Sequence, residues 1–364
     1  MMTIYNEVYC ILQLREQKNL SILSYRRFGM FLILKITSLC NFKCDYCSAS
    51  CLSKGANPYI TFDDFKQLME TYDVDGISIV GGDPLCAPPS LYLQMLNYID
   101  TYHAHRNTKI AMTSNLWDFH IHPEKWKEVF QNPRIRITTS FQSTGRIKGN
   151  GELYTEREFI DVYHHVLSYL PHQTYIPFIS TLTKELLHEY PHMVELAEQL
   201  KTTVRINPVL QAGESSEFLL FSDIFHWYLW SMENHKLEYD IAARDIYSMV
   251  KDVDSGCPYS RNCYADTRSI SPDGKIHSCC VLNDTHMTHV LRNEKTYELH
   301  EYPEDEIRKD YPSIFPRCFV CPSFNFCNAC FYRIKEIKDA HKEEEFCAGM
   351  KALFPRMKAL TLIK

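Results

Sequence analysis

Three cysteines stand at Cys40, Cys44 and Cys47, in the segment CNFKCDYC. Their C-x3-C-x2-C spacing puts three thiolates into one short loop. The loop follows directly on Phe31–Ile36, an apolar, β-branched run that reads as a buried strand despite Lys35. Three thiolates can ligate three irons of a [4Fe–4S] cluster and leave the fourth iron open to a ligand. Tyr46, just before the last cysteine, would cover such a cluster. A structural zinc site wants four ligands, and Cys51 could supply the fourth, so zinc stays open on the triad alone. In a barrel, the loop after the first strand opens at the catalytic end.

The 364-residue chain suits one large domain plus a smaller one, or two medium ones, and its 45% hydrophobic content allows a large packed core. A net charge of −6 with scattered basic residues makes no electrostatic case for nucleic acid. The most apolar stretch, Phe218–Trp230, is short and interrupted by Asp223 and His226, which argues against a membrane span. The first residues lack the basic-then-apolar pattern of a signal peptide, so a cytoplasmic location is expected. In that reducing compartment the fifteen cysteines are better read as metal or cluster ligands than as disulfides.

The elements that must hold the triad can be read from periodicity. Val8–Leu14 and Leu20–Tyr25 predict a β-hairpin within residues 1–29. After the strand at Phe31–Ile36, helices and strands alternate. Helices are expected over Phe62–Tyr72, with Thr61 as its N-cap, and over Leu91–His103, Glu124–Phe130, Phe159–Leu170 and Leu186–Leu200. The intervening strands are expected at Gly76–Val80, Lys109–Thr113, Ile135–Ser140, Tyr175–Ile179 and Val204–Pro208. Six such units predict an α/β fold with a parallel sheet, either open or a partial (β/α)6 barrel. The pattern breaks near residue 221. Helices at Ser222–His235 and Tyr239–Val250 lead into a region that holds nine cysteines after residue 256. The division expected is therefore an extension at 1–29, a core at 30–221 and a second domain at 222–364. Lys335–Glu345 reads as the solvated face of a helix.

The strand at Gly76–Val80 runs into Gly81-Gly82-Asp83-Pro84. With the cysteine triad ahead of it, this turn resembles the radical S-adenosylmethionine (SAM) superfamily, whose usual form here is GGEP. The resemblance implies that the open iron binds the amino and carboxylate groups of SAM. It also implies that the turn binds the methionine amino group, with Asp83 one methylene shorter than the usual glutamate. Thr113-Ser114-Asn115 resembles a Thr-Asn step found near SAM in that family. In Thr139-Ser140-Phe141-Gln142, Gln142 replaces the family's acid, and Ser140 could bind the ribose. Arg146 or Arg157 could pair with the SAM carboxylate through the guanidinium fork. Leu210, after the sixth strand, could pack on adenine.

The later cysteines read Cys257-x5-Cys263-x15-Cys279, then Cys318-x2-Cys321-x5-Cys327-x2-Cys330, then Cys347, with Gly274 five residues before Cys279. This resembles the SPASM extension of radical SAM peptide-modifying enzymes, apart from one residue fewer between Cys327 and Cys330. The resemblance implies a partial TIM-type barrel with a smaller C-terminal SPASM domain. It further implies two auxiliary [4Fe–4S] clusters, one on Cys257, Cys263, Cys279 and Cys330 and one on Cys318, Cys321, Cys327 and Cys347. With the triad, that makes three clusters. A pair of zinc ribbons, and hence a binding module, is the alternative for these spacings alone.

Cys10, Cys51, Cys86 and Cys280 remain, and a buried thiol is the default for each. Cys280 follows the expected ligand Cys279, where related sulfatase-maturating enzymes carry an aspartate base. It could instead donate a hydrogen atom to a substrate radical. The resemblance implies an oxidoreductase that matures a ribosomally made precursor peptide by closing a carbon–carbon cyclophane or thioether cross-link. It also implies a flavodoxin- or ferredoxin-type electron donor. Seryl or cysteinyl oxidation of a protein, as in sulfatase maturation, and radical epimerisation are the alternative chemistries. A leader peptide could dock on the edge of the 1–29 hairpin by strand addition. Anaerobically purified protein should be brown and carry about twelve irons per chain, as three four-iron clusters require. Colourless, zinc-loaded protein would reverse the assignment.

Overall fold

The computed structural model describes residues 29–51, 59–104, 107–209, 219–251, 267–274, 276–277, 321, 337–338 and 340–362. The hairpin expected in residues 1–29 lies outside the described residues, Gly29 apart.

The chain builds one main sheet. Its strands are β1 (Met30–Thr37), β3 (Val74–Gly81), β4 (Lys109–Thr113), β5 (Ile135–Ser140), β7 (Phe178–Leu182), β8 (Val204–Pro208), β9 (Thr267–Ile270) and β10 (Ile276–His277). They lie in the order β10-β9-β1-β3-β4-β5-β7-β8. Seven of them run parallel and curl into a partial barrel, and β10 joins antiparallel at the edge. The α/β partial barrel expected from the alternating pattern is present. A second, two-stranded sheet pairs β2 (Phe42–Cys44) with β6 (Arg146–Lys148).

Helices connect the parallel strands: α1 (Phe62–Thr71), α2 (Pro89–Tyr102), α3 (Trp117–Ile121), α4 (Pro123–Phe130), α5 (Glu156–Leu167) and α6 (Tyr190–Gln199). Their ends follow local chemistry. Thr61 and Asp64 close a capping box on α1, and Thr155 and Glu158 close another on α5. Proline opens α2 and α4 at the first turn, where its missing N–H costs nothing.

Two expected spans are corrected. The fifth barrel strand is Phe178–Leu182, not Tyr175–Ile179. Pro177 has no N–H for the ladder, and the Ile176 N–H donates to the Tyr163 hydroxyl at 3.1 Å, so pairing starts one residue after the proline. The charge run Lys335–Glu345 is not one continuous helix: Ile337 and Lys338 are helical, and a turn at 340–341 follows. His341 has φ of 55°, and the helix, α9, runs Glu343–Leu362. Glu343, Glu344 and Glu345 form its first turn, where negative charge suits the helix dipole.

Elements from both sides of residue 221 pack together. Helices α7 (Phe221–Glu233) and α8 (Ile241–Val250) lie against β8, and α9 lies against α7. Gly349 permits that close approach, since a Cβ there would meet the Ser222 Cβ at 2.5 Å. Strand β9 extends the barrel sheet beside β1.

The register separates two faces of the sheet. One carries Leu32, Leu34, Ile36, Ile77, Ile79, Ile110, Met112, Ile135, Ile137, Val204 and Ile206, all in the hydrophobic core. The other carries Lys35, Ser78, Thr113, Thr138, Ser140, Thr181, Arg205 and Asn207, interleaved with Ile33, Val80, Ala111 and Ile179. This polar face is closed lower down. Arg205 there makes a buried, two-armed ion pair with Asp245 of α8, at 2.5 and 3.1 Å. At the C-terminal strand ends it opens, and Ser140 and Thr181 are half-buried. Removing one member of a buried ion pair strands the other, at a cost of about 3–5 kcal/mol. Asp245→Leu should therefore lower the urea midpoint sharply, and adding Arg205→Met should restore most of the loss. An unchanged midpoint in the single variant would show that the pair does not lock α8 to the barrel.

Candidate functional site

The site gathers where the parallel strands end, the edge at which open α/β sheets bind ligands. Three loops meet there: the cysteine loop after β1, the Gly81–Pro84 turn after β3 and the Ser114–Asn115 turn after β4.

The first two are stitched through backbone. Gly82 N–H donates to Thr37 O at 2.8 Å, and Asp83 N–H donates to Leu39 O at 2.7 Å. The approach leaves no room for side chains. A Cβ on Gly82 would lie 2.1 Å from Leu39 O, and one on Gly81 would lie 2.3 Å from Thr37 O. Gly81 also has φ of 139°, which side chains rarely adopt.

Asp83 joins the third loop. Its buried carboxylate accepts from Leu85 N at 2.9 Å, from Asn115 N at 2.8 Å and from Ser114 Oγ at 2.9 Å. Burial pushes this carboxyl up to about 6, while the Asn115 and Leu85 amides and the Ser114 hydroxyl pull it back. Asn115 then returns to the cysteine loop: its Nδ2 donates to Asn41 Oδ1 at 2.6 Å. Asn41 lies between Cys40 and Cys44, and no spacing rule in the sequence marks it.

In the triad, Cys40 is exposed, while Cys44 and Cys47 are half-buried. Although Cys40 has an exposed face, the protein packed around its sulfur raises the thiol, the Asp83 charge adds to that, and the Phe42 amide opposes it. Cys86 is not part of the triad. Burial, then the charges of Asp83 and Asp118, push it up to about 12, and the Asn41 backbone amide that it accepts pulls it down. Among the described residues, no three His, Cys, Asp or Glu side chains close on a single-ion site.

Arg146 and Arg157 part company. Arg146 lies opposite Cys44 in the β2–β6 pair and is buried. Burial opposes its charge, but Tyr46 and Cys44 outweigh that and hold it firmly protonated. Its guanidinium sits over the rings of Phe42 and Tyr154, 5.4 and 5.6 Å from their centroids. Nη1 donates to Ser140 Oγ at 2.9 Å, and Nε has no partner. Arg157 is exposed on α5. Gln142 is buried; its Nε2 donates to Thr144 O at 2.9 Å and its Oε1 has no partner. Tyr154, which sequence reasoning missed, is fully buried with an unpartnered hydroxyl. Leu210, Cys280 and the cysteines at 257, 263, 279, 318, 327 and 330 lie outside the described residues. Cys321 and Cys347 are half-buried, the latter on α9.

These features fit a cluster with SAM. The donor set is the three thiols of one loop, the number that a cluster with one open iron takes. Beside it, the Gly81–Gly82 backbone packs directly on the cysteine loop, and buried polar atoms of Arg146 and Gln142 have no partner. A parallel half-barrel with a cysteine loop after its first strand defines the class of protein. Residues 34–209 match the family model of the radical SAM superfamily. Residues 34–209 are a radical SAM domain, and the chain is an enzyme that uses a [4Fe–4S] cluster and SAM.

No curated protein matches the chain in sequence. Among solved structures, native anSMEcpe with bound AdoMet is similar, with a TM-score of 0.64 and 14% identity over 92% of this chain and 99% of that one. Native anSMEcpe with bound AdoMet and Kp18Cys peptide gives 0.61 and 13%, over 91% and 98%. The complex with Cp18Cys peptide gives 0.59 and 13%, over 92% and 99%. At such identity the likeness shows the fold. No helix among the described residues is long and apolar enough to cross a membrane.

Proposed function

We propose that this enzyme is a radical SAM peptide maturase, which oxidises a peptide or protein chain by two electrons to close a carbon–carbon or thioether cross-link. The observation that carries the reading is the linked arrangement of Cys40, Cys44, Cys47, the Gly81–Pro84 turn, Ser140 and Arg146 at one strand end. The peptide complexes of anSMEcpe, on the same fold, support a peptide substrate. The cysteine spacings after residue 256 support a SPASM domain at about 222–364 with two further clusters.

When bound, the cluster and SAM supply a 5′-deoxyadenosyl radical that abstracts a substrate hydrogen. The chain's residues orient and shield. Arg146, braced by Ser140 and two aromatic faces, presents an unspent Nε–H to the SAM carboxylate. Gln142 offers Oε1 to a ribose hydroxyl. Asp83 acts chiefly through its neighbours, because its three protein donors occupy both of its oxygens. From the substrate, one hydrogen leaves as an atom and the other as a proton with an electron, which would pass to the auxiliary clusters. A flavodoxin or ferredoxin would supply the electron that starts each turnover.

Mass spectrometry of peptides incubated anaerobically with reduced enzyme and SAM tests the chemistry. A cross-link gives loss of two hydrogens with no hydrazide-reactive carbonyl. Loss of two hydrogens with such a carbonyl points to seryl oxidation, and an unchanged mass with inverted stereochemistry points to epimerisation. Either result displaces the cross-linking assignment.

The two arginines give an independent check. Arg146→Met should weaken SAM binding by more than about tenfold, the loss of a charged hydrogen bond. Arg157→Met should leave it unchanged. Equal effects in calorimetric titration would remove Arg146 from the SAM site.

A further inference from the structure

Asn207 is the penultimate residue of β8 and is 2% exposed. It pairs in register with Thr181, on the polar face of the sheet. Polar groups lower on this face have found partners. Thr113 and Thr138 bond each other, and Ser140 accepts from Arg146. The Asn207 Nδ2 has none. A buried amide donor without an acceptor destabilises a fold, and native interiors rarely keep one. Ser140 and Thr181, on the same face, are half-buried, so the space at this level opens to solvent. Asn207 therefore lies just beneath the recess at the open strand ends, with a donor in reserve.

The donor is placed away from the Ser140–Arg146 pair. It lies two strands over and two residues further along, about 12 Å by sheet spacing. One carboxylate cannot reach both. An uncharged amide donor across the recess suits an uncharged carbonyl acceptor, which a peptide backbone offers at every residue.

We infer that Asn207 is a positioning residue for the substrate: its Nδ2 donates to a backbone carbonyl of the bound peptide and holds the reacting residue beside SAM. This rests on the peptide-maturase reading above. The free enzyme keeps the amide unpaired, so its benefit appears only when peptide is bound.

Asn207→Leu keeps the approximate volume and removes the donor, and Asn207→Asp puts an acceptor in its place. Both are compared with wild type on a pool of short synthetic peptides containing Ser, Cys and aromatic residues, and kinetics follow the peptide that wild type consumes fastest. The expected result for Asn207→Leu is a KM raised roughly tenfold, the worth of one hydrogen bond. SAM affinity and iron content should not change, and Tm should be equal or higher, because an unsatisfied buried amide has gone. Asn207→Asp should raise KM further. An unchanged KM, a parallel loss of SAM affinity or a lowered Tm for the leucine variant overturns the inference and leaves the proposed function standing. A pool from which wild type modifies nothing overturns both.

Discussion

One buried carboxylate holds the edge of this barrel together. Asp83 takes hydrogen bonds from its own turn, from the Ser114 hydroxyl and from the Asn115 backbone. A carboxylate removed from water is unfavourable unless its lone pairs are used, and here they are used by groups 31 and 32 residues away. Aspartate has the reach for this. Its short side chain can accept from the amide two residues on, in the manner of an Asx turn, while the second oxygen faces the next strand. Asn115, fixed in this way, fixes Asn41 and hence the loop between the first two cysteines. The cysteine triad is positioned less by its own strand than by the turns of the two strands beside it.

The same economy governs the sheet. Its outer face is aliphatic and is covered by helices. Its inner face mixes apolar and polar residues, and the polar ones in its lower part are neutralised from within: Thr113 pairs with Thr138, and Arg205 pairs with Asp245. That pair also explains why helices from beyond residue 221 belong to the barrel's own packing. A buried guanidinium on β8 requires an anion, and α8 brings it. Closing the lower end this way leaves the unspent donors and acceptors of Arg146, Gln142 and Asn207 near the open end.

Much of this was legible in sequence where the chemistry is local. The cysteine triad, the Gly81–Pro84 turn and five of the six expected strands are short-range patterns. The fifth strand was shifted by Pro177, a residue visible in the sequence but given too little weight against a β-branched run. The contacts that build the site are long-range. The Asn41–Asn115 bond spans 74 residues. The choice between Arg146 and Arg157 depends on β6 pairing with β2, and neither three-residue strand carries a periodicity that announces it. Strand β9 hides among cysteines, with Arg268 and Ser269 in its four residues.

The character of the inner wall bears on which chemistry follows hydrogen abstraction. Near the open end, the polar residues described on that face are Ser140, Thr181 and Asn207, hydroxyls and an amide, beside Ile179. Their O–H and N–H bonds are strong, so a carbon radical held against them gains nothing by taking their hydrogen. Such a wall can bind and orient without quenching. The radical is then left to lose an electron or to attack a neighbouring atom, which are the steps of oxidation and cross-linking. Epimerisation instead requires a weak X–H bond at the radical, and a thiol is the side chain that provides one. A wall that binds through hydroxyl and amide groups does not itself return the hydrogen, whereas a thiol brought to the same recess would.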